Sequence, residues 1–391
     1  MAAKCEGLSV IATMPGGARR RRRSAAGFTL VELLMVIAII AMLMGLLSVA
    51  VWRALDAARK AEMLTEIEQL SSAMNAYKEA SVQYPPSMSE LVINDRKMHF
   101  MRHVQVAFTN ANYGTTVTDF NGLNSKMQAA NGFGTGSQAY TFRNAGGSSQ
   151  VLDLNTLDQA EALVFWLGGM PTPCKSDGTP VASNRLFGFN KDRDSPFKRD
   201  AVTQEANDPL RFRTNSFFDF KPERLSDLDG DGWLEYLPQN PSGGSLVAPF
   251  VYFDADTYTR STTPPSVSPF NITNQTGYPR FQDAAAPGLA AEWGMAVPMA
   301  RTFDVTGKIP VAWQNEKSFQ IIAPGKDGKY SAPVGGALDA AMRLPVFPSG
   351  DTYTKAGGYK ADSRTSYTIE ELDNLTNLGR FTLDEARQVA P

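Results

Sequence analysis

Two stretches of this chain carry residue types at spacings that could do chemistry. In Asp227-Leu-Asp229-Gly-Asp231-Gly232-Trp-Leu-Glu235, carboxylates fall at positions 1, 3, 5 and 9 of an EF-hand-like loop with glycine at position 6. Alternate acidic residues on a tight turn converge their oxygens on one hard cation, which makes calcium the candidate cofactor. Position 12, where an EF-hand places a bidentate carboxylate, is Pro238. An ion held here would have fewer protein ligands than a full EF-hand, and an acidic, solvated turn is the competing reading. In the second stretch, Glu32 stands one turn inside a long apolar run. A carboxylate costs about 2.5–3.5 kcal/mol at the centre of a bilayer and less near the interface. Such a charge calls for a cation, and the nearest upstream arginine is nine positions away. Cleavage between Gly27 and Phe28 would create one, because the new α-amino group would lie at membrane depth beside Glu32 of a neighbouring copy.

Other candidates are weaker. His99 and His103, the only two histidines, are four apart and share a face if helical. No cysteine or carboxylate stands at the usual ligand spacing from them, so they read as surface histidines rather than metal ligands. Gly132-Phe-Gly134-Thr-Gly136 lacks the Lys-Ser/Thr pair of a phosphate loop and reads as a turn. There is no histidine near a credible nucleophile, no Gly-x-Ser-x-Gly elbow, no zinc motif and no dinucleotide fingerprint, so the chain does not read as an enzyme. Net charge is −2, and the arginine run lies ahead of Gly27, leaving no basic face for nucleic acid. Of the two cysteines, Cys5 and Cys174, only the second follows Gly27. The processed chain therefore has no intrachain disulfide, and its core or a metal must hold the fold.

The elements that must position these residues begin with the apolar run itself. No charged side chain occurs from Leu33 to Trp52, and about 20 residues at 1.5 Å rise match the hydrocarbon core of a bilayer. Arg19 to Arg23 precede it, which keeps the N-terminus cytoplasmic and sends the rest across the membrane. No small-x-small cleavage site follows the run; the small residues Ser24-Ala25-Ala26-Gly27 lie in front of it. Met14 offers a second start, with a shorter leader ending at the same glycine. Trp52 to Ala80 contains neither glycine nor proline, and Met63, Ile67, Leu70, Met74 and Tyr77 form one apolar seam, while Arg53, Arg59, Lys60, Glu62, Glu66, Glu68 and Lys78 supply polar faces. A continuous helix from Phe28 to Ala80 would be roughly 80 Å long. Tyr84-Pro85-Pro86 ends it.

Gly27-Phe-Thr-Leu-Val-Glu32 followed by this run resembles the class III signal of type IV pilins and type II secretion pseudopilins. The resemblance implies a prepilin peptidase that cuts after Gly27 and methylates Phe28, and a role for Glu32 in assembly with other pilin or pseudopilin subunits. It also implies an inner-membrane assembly platform, and membrane lipid around the helix before assembly. Ala76-Tyr77-Lys78, Tyr84-Pro85 and Ser89-Glu90-Leu91 resemble the helix exit of the major pseudopilin. Phe319-Gln-Ile-Ile-Ala-Pro-Gly-Lys-Asp-Gly-Lys-Tyr330 is similar to the strand that enters that family's calcium loop. The matching ligand positions are Asp327 and Asp373, separated by about 45 residues instead of a handful. A plain strand and turn competes for Asp327. For Asp373 the competing reading is a helix with a Thr368/Glu371 capping box and a stop at Gly379; Thr382 and Glu385 repeat the box for a final short helix.

The fold expected is α+β: a long N-terminal helix packed by its second half on a C-terminal antiparallel sheet, with a large irregular insertion. The segments are a removable leader, 1–27; a spine helix, 28–80, membrane-spanning at about 33–52; a helix exit, 81–93; an insertion, 94–246; and a sheet region, 247–391. In the insertion, Val104 to Phe108 is a short apolar piece. Leu157 to Leu167 reads as a helix with Asp158 and Glu161 in its first turn and Gly168-Gly169 and Pro171 as stops. No chemistry is assigned to the insertion. Strand candidates are Val247–Phe253, Ile309–Trp313 and Phe319–Ala323. The functional expectation is a structural subunit of a type II secretion pseudopilus or type IV pilus-like filament, single-pass in the inner membrane with its head periplasmic. A bulky head favours a minor or decorated subunit. The rivals are a membrane-anchored binding module that does not polymerise and an exported enzyme.

Overall fold

The computed structural model describes residues 28–89, 93–108, 119–134, 139–143, 148–171, 186–199 without 187 and 193, 214–239 without 215, 247–259, 278, 292–304, 309–331, 343–349, 352–354, 358–360 and 371–389. The leader with Met14 and Gly27, Cys174, Gly136, Thr368 and most of Thr262–Pro279 lie outside the described residues. The elements in order are helix α1 (Leu30–Ser81), α2 (Ile93–Ala107), α3 (Phe120–Gln128), strands β1 (Thr141–Arg143) and β2 (Ser149–Val151), and α4 (Gln159–Gly168). Then come β3 (Leu225–Ser226), β4 (Glu235–Tyr236), β5 (Val251–Asp254), α5 (Ala255–Thr259), β6 (Ala300–Asp304), β7 (Ile309–Trp313) and β8 (Phe319–Ala323). The chain closes with β9 (Arg343–Pro345), β10 (Thr352–Thr354), β11 (Gly358–Lys360), β12 (Leu375–Thr376) and α6 (Leu383–Val389). The class is α+β.

Helix α1 runs unbroken for 52 residues. It stops where Val82 takes a left-handed φ of 71° just before the two prolines. Two compact units divide the chain, Met1–Ala54 and Leu55–Pro391. In the first, the apolar residues among those described stand exposed, and the helix is long and apolar enough to cross a membrane.

In the second unit the α1 seam is the centre of the core: Met63, Ile67, Leu70, Met74 and Tyr77 are all buried. Leu70→Ala should cost about 2–5 kcal/mol, because the cavity left in a packed core closes only partly; a chemical-denaturation curve measures it. The same hydrophobic cluster takes in α2, α3, α4 and one face of the sheet, so residues from 94–246 share a core with the spine helix. Val104 to Phe108, an apolar piece in the sequence, continues α2 to its end. Every residue of α4 is buried. It is stopped by Gly169, whose φ of 87° and contact with the Gly188 backbone leave no room for a β-carbon. Gly169→Ala should therefore destabilise by more than about 1 kcal/mol in the same assay.

Of two three-stranded antiparallel sheets, one has the order β11-β10-β9; the other has the order β12-β8-β5, with Val251 opposite Ile322 and Leu375 opposite Ala323. Side chains alternate across it, as a period of two requires. Tyr252, Phe319, Ile321 and Ala323 face the cluster built on α1, while Val251, Phe253 and Ile322 face a second cluster containing Trp293, Met299 and Trp313. The helix exit docks through proline carbonyls on this sheet and on α4: Tyr252 Oη of β5 donates to Pro85 O at 2.8 Å, and Trp166 Nε1 of α4 donates to Pro86 O at 3.0 Å. The competing helix reading around Asp373 does not hold over the described residues: 371–374 form a turn, and Leu375 and Thr376 pair with β8. A ladder that buries Leu375 completely outweighs a local capping signature. The second box forms as read, with Thr382 N donating to Glu385 Oε2 at 2.8 Å and Glu385 N to Thr382 Oγ1 at 3.3 Å.

Three polar residues are more buried than the sequence suggests. Glu66, on a polar face of α1, is 7 % exposed and forms a two-toothed pair with Arg224, both contacts 2.6 Å. Tyr236 Oη donates to Glu66 Oε1 at 2.7 Å, Arg224 Nε donates to Leu237 O at 2.7 Å, and the guanidinium lies 4.4 Å from the Tyr236 ring centroid. His99 and His103 are buried as well, on α2, not on the surface as read from the sequence. His99 Nε2 lies 3.4 Å from Asp256 Oδ2. His103 sits between Tyr77 Oη, 2.9 Å from Nε2, and Gln83 Nε2, 3.1 Å from Nδ1. Since the Gln83 amide can only donate, the bond network assigns the imidazole proton to Nε2, which donates to Tyr77.

Burial, then the charge of His99, pushes His103 down to about 3. Its folded value is below its unfolded one, so the stability it contributes is present above about pH 6.5 and is lost as pH falls toward 3. Between about pH 7 and pH 4.5 the melting midpoint of the wild type should fall more steeply than that of His103→Gln. Parallel slopes would show that His103 carries none of the acid sensitivity.

Candidate functional site

The acidic loop joins β3 to β4 as a hairpin, with Leu225 opposite Tyr236. Its carboxylates are fixed by the loop's own backbone. Asp227 accepts from Gly230 N at 2.8 Å and Gly232 N at 3.1 Å, Asp229 from Asp231 N at 3.3 Å, and Asp231 from Trp233 N at 2.9 Å. Glu235 Oε2 accepts from Leu228 N at 3.0 Å. Gly232, the position-6 glycine, has a φ of 94° and presses on Phe142 and Leu152, so both its conformation and its surroundings require glycine.

This is not a solvated turn: Asp227, Asp229 and Asp231 are half-buried and Glu235 is 1 % exposed. The structure also brings in two residues to which the sequence assigned no chemistry. Asp158 caps α4, and Glu161 completes a capping box by accepting from Asp158 N at 2.8 Å. Carboxylate oxygens of Asp158, Glu161 and Asp229 lie within 4.8 Å of one another, and so do those of Asp227, Asp229 and Asp231. Burial first, then the surrounding acids, pushes Glu161 and Glu235 well above the usual carboxylate range. Burial and then Asp231 push Asp229 up to about 7. Asp227 and Asp231 are also raised, in each case first by burial. The helix-start signal at Asp158 was legible in the sequence; its closeness to residue 229 was not.

Asp327 and Asp373 also meet. Asp327 N donates to Asp373 Oδ2 at 3.2 Å in the turn after β8, and a β-carbon at Gly325 would collide with the Asp373 carboxylate. Asp373 is pushed up to about 6 by burial, then by Asp327, and its Oδ1 is buried without a hydrogen-bond partner.

At the start of α1, Phe28 is 71 % exposed. Thr29 N and Oγ1 both donate to Glu32 Oε2 at 2.9 Å, and Glu32 N donates to Thr29 Oγ1 at 3.2 Å. That is a capping box, a signal present in Thr29-Leu-Val-Glu32 and not used in the sequence reading. It lets Glu32 hold the helix start within one chain. The family model of the prokaryotic N-terminal methylation motif matches residues 22–48. The chain carries the type IV pilin and pseudopilin signal. This signal makes it a pilin-like substrate of a prepilin peptidase, anchored by its apolar N-terminal helix in a membrane. Within the signal, Phe28 and Glu32 are described and Gly27 is not. Comparison with curated proteins and with solved structures returns no match.

Proposed function

We propose that this chain is a structural subunit of a type II secretion pseudopilus or type IV pilus-like filament, cut after Gly27, methylated on Phe28 and inserted with its N-terminus cytoplasmic. The observation that carries this reading is the methylation motif, whose residues from Leu30 to Ser48 lie on a helix with its apolar side chains exposed, as at Leu30, 78 %, and Trp52, 63 %. In a bilayer that surface is matched by lipid; in a filament it is matched by the same surface of other copies, and close packing supplies the attraction. The Phe28 amine would neutralise Glu32 of a neighbour. The bulk of the Leu55–Pro391 unit favours a minor or decorated subunit over a tightly packed major one.

The test is mass spectrometry of the protein from membranes and from filaments sheared off the cells. The expected species begins at Phe28 and is one methyl group heavier than the unmodified chain. A protein still beginning at Met1 or Met14, or found only in membranes as a single copy, would leave a membrane-anchored binding module instead. In this reading Asp327 and Asp373 form a calcium site of the head, so Asp373→Asn should reduce the rise in melting midpoint that calcium gives.

A further inference from the structure

Asp229 belongs to two carboxylate triplets, one within the β3–β4 loop and one shared with the first turn of α4. Calcium takes its oxygens at about 2.3–2.6 Å, so two ligands on opposite sides of one ion stand at most about 5 Å apart. Each triplet, with ligand atoms within 4.8 Å, fits inside such a sphere. Crowding alone would not make this a site. The deciding group is Glu161, which is 1 % exposed; its Oε2 accepts from Asp158 N, and its Oε1, the oxygen left over, has no hydrogen-bond partner. The capping box needs only one carboxylate oxygen. Asp231 has Oδ1 taken by Trp233 N, and its buried Oδ2 lies near the Thr156 and Glu161 side chains without a bond of hydrogen-bond geometry among the described residues. A buried carboxylate oxygen without a partner is costly, whereas a bound cation satisfies it.

We propose that Asp158 and Glu161 complete the Asp227–Glu235 loop as a calcium site, taking the place of the carboxylate that an EF-hand carries where this chain has Pro238. The donors are all oxygen and mostly carboxylate, which selects calcium over zinc, and their number suits calcium better than magnesium, which keeps most of its water. The ion ties the start of α4 to the β3–β4 hairpin. The same hairpin is held to α1 through Arg224 and Glu66, so the site braces the helix of the insertion against the spine helix. This inference is independent of filament assembly.

The test uses the full processed chain in detergent, stripped with chelator and titrated with calcium chloride. Terbium luminescence excited through tryptophan reports the loop directly, because Trp233 N is bonded to Asp231. Calcium should raise the melting midpoint and displace terbium, with magnesium at equal concentration displacing far less. Glu161→Gln keeps the capping box, since glutamine serves at that position. It should weaken calcium binding at the loop roughly tenfold or more, the scale on which even outer partners of metal ligands matter. The double variant Asp327→Asn, Asp373→Asn should leave the terbium signal intact. Unchanged affinity in Glu161→Gln, no calcium response in the wild type, or loss of the whole response in the double variant would overturn the proposal. If Glu161→Gln does not fold, Asp229→Asn is read by the same criteria.

Discussion

Arg224→Ala should lower the stability of the Leu55–Pro391 unit by about 3–5 kcal/mol, because it leaves Glu66 charged and buried with no cation facing it. Both residues are almost enclosed, with side chains 11 % and 9 % exposed. The pair is also hydrogen-bonded on its remaining sides, by Tyr236 Oη to Glu66 and from Arg224 to Leu237 O. Desolvation of two charges offsets much of what their attraction contributes, so the double variant Glu66→Leu, Arg224→Leu should cost far less than either single change. Chemical denaturation of the three variants measures this. The surface pairs along the same helix, Lys326 with Asp56 at 2.7 Å and Arg380 with Glu68 at 2.6 Å, are expected to contribute about 0–1 kcal/mol each. A loss below about 1 kcal/mol for Arg224→Ala would place the buried pair among them.

Glu32→Gln should abolish filaments while leaving cleavage after Gly27 intact. The substitution separates the two roles open to this side chain. Glutamine keeps the bond from Thr29 and hence the helix start, but it cannot neutralise the amine of a neighbouring Phe28. If the carboxylate acts only as a cap, the sheared-filament yield of Glu32→Gln will equal that of the wild type. If it acts as a charge, processed protein will accumulate in the membrane and the sheared fraction will be empty. Glu32→Ala removes both roles and gives the reference for complete loss.

Local patterns read well from the residues alone. The α1 seam, the proline stop after it, the capping box at Thr382 and the strand at Phe319 depend on neighbours within a few positions, and the structure has each of them. The competing helix reading at Thr368–Gly379 fails over its described part, 371–379, for a reason of the same kind. Its signal was local, and a non-local ladder with Ile322 and Ala323 was stronger. His99 and His103 were misread as surface residues, and Glu66 was placed only on a polar face, because polarity reports what a side chain prefers, not whether a partner such as Arg224 or Tyr77 comes to meet it.

By itself the sequence determined the two ends of the chemistry that need no fold: the cleavage and methylation signal around Gly27, Phe28 and Glu32, and the acidic loop at Asp227 to Glu235. Both are contiguous, and their spacing is the information. Tertiary structure alone decided which distant groups join them. Asp158 and Glu161 reach the loop because α4 is buried against β4 and β5. Asp327 reaches Asp373 because β12 pairs with β8, closing a separation that the sequence left open. Chain connectivity fixes distances over a few residues only; beyond that, they are set by which apolar surfaces pack together.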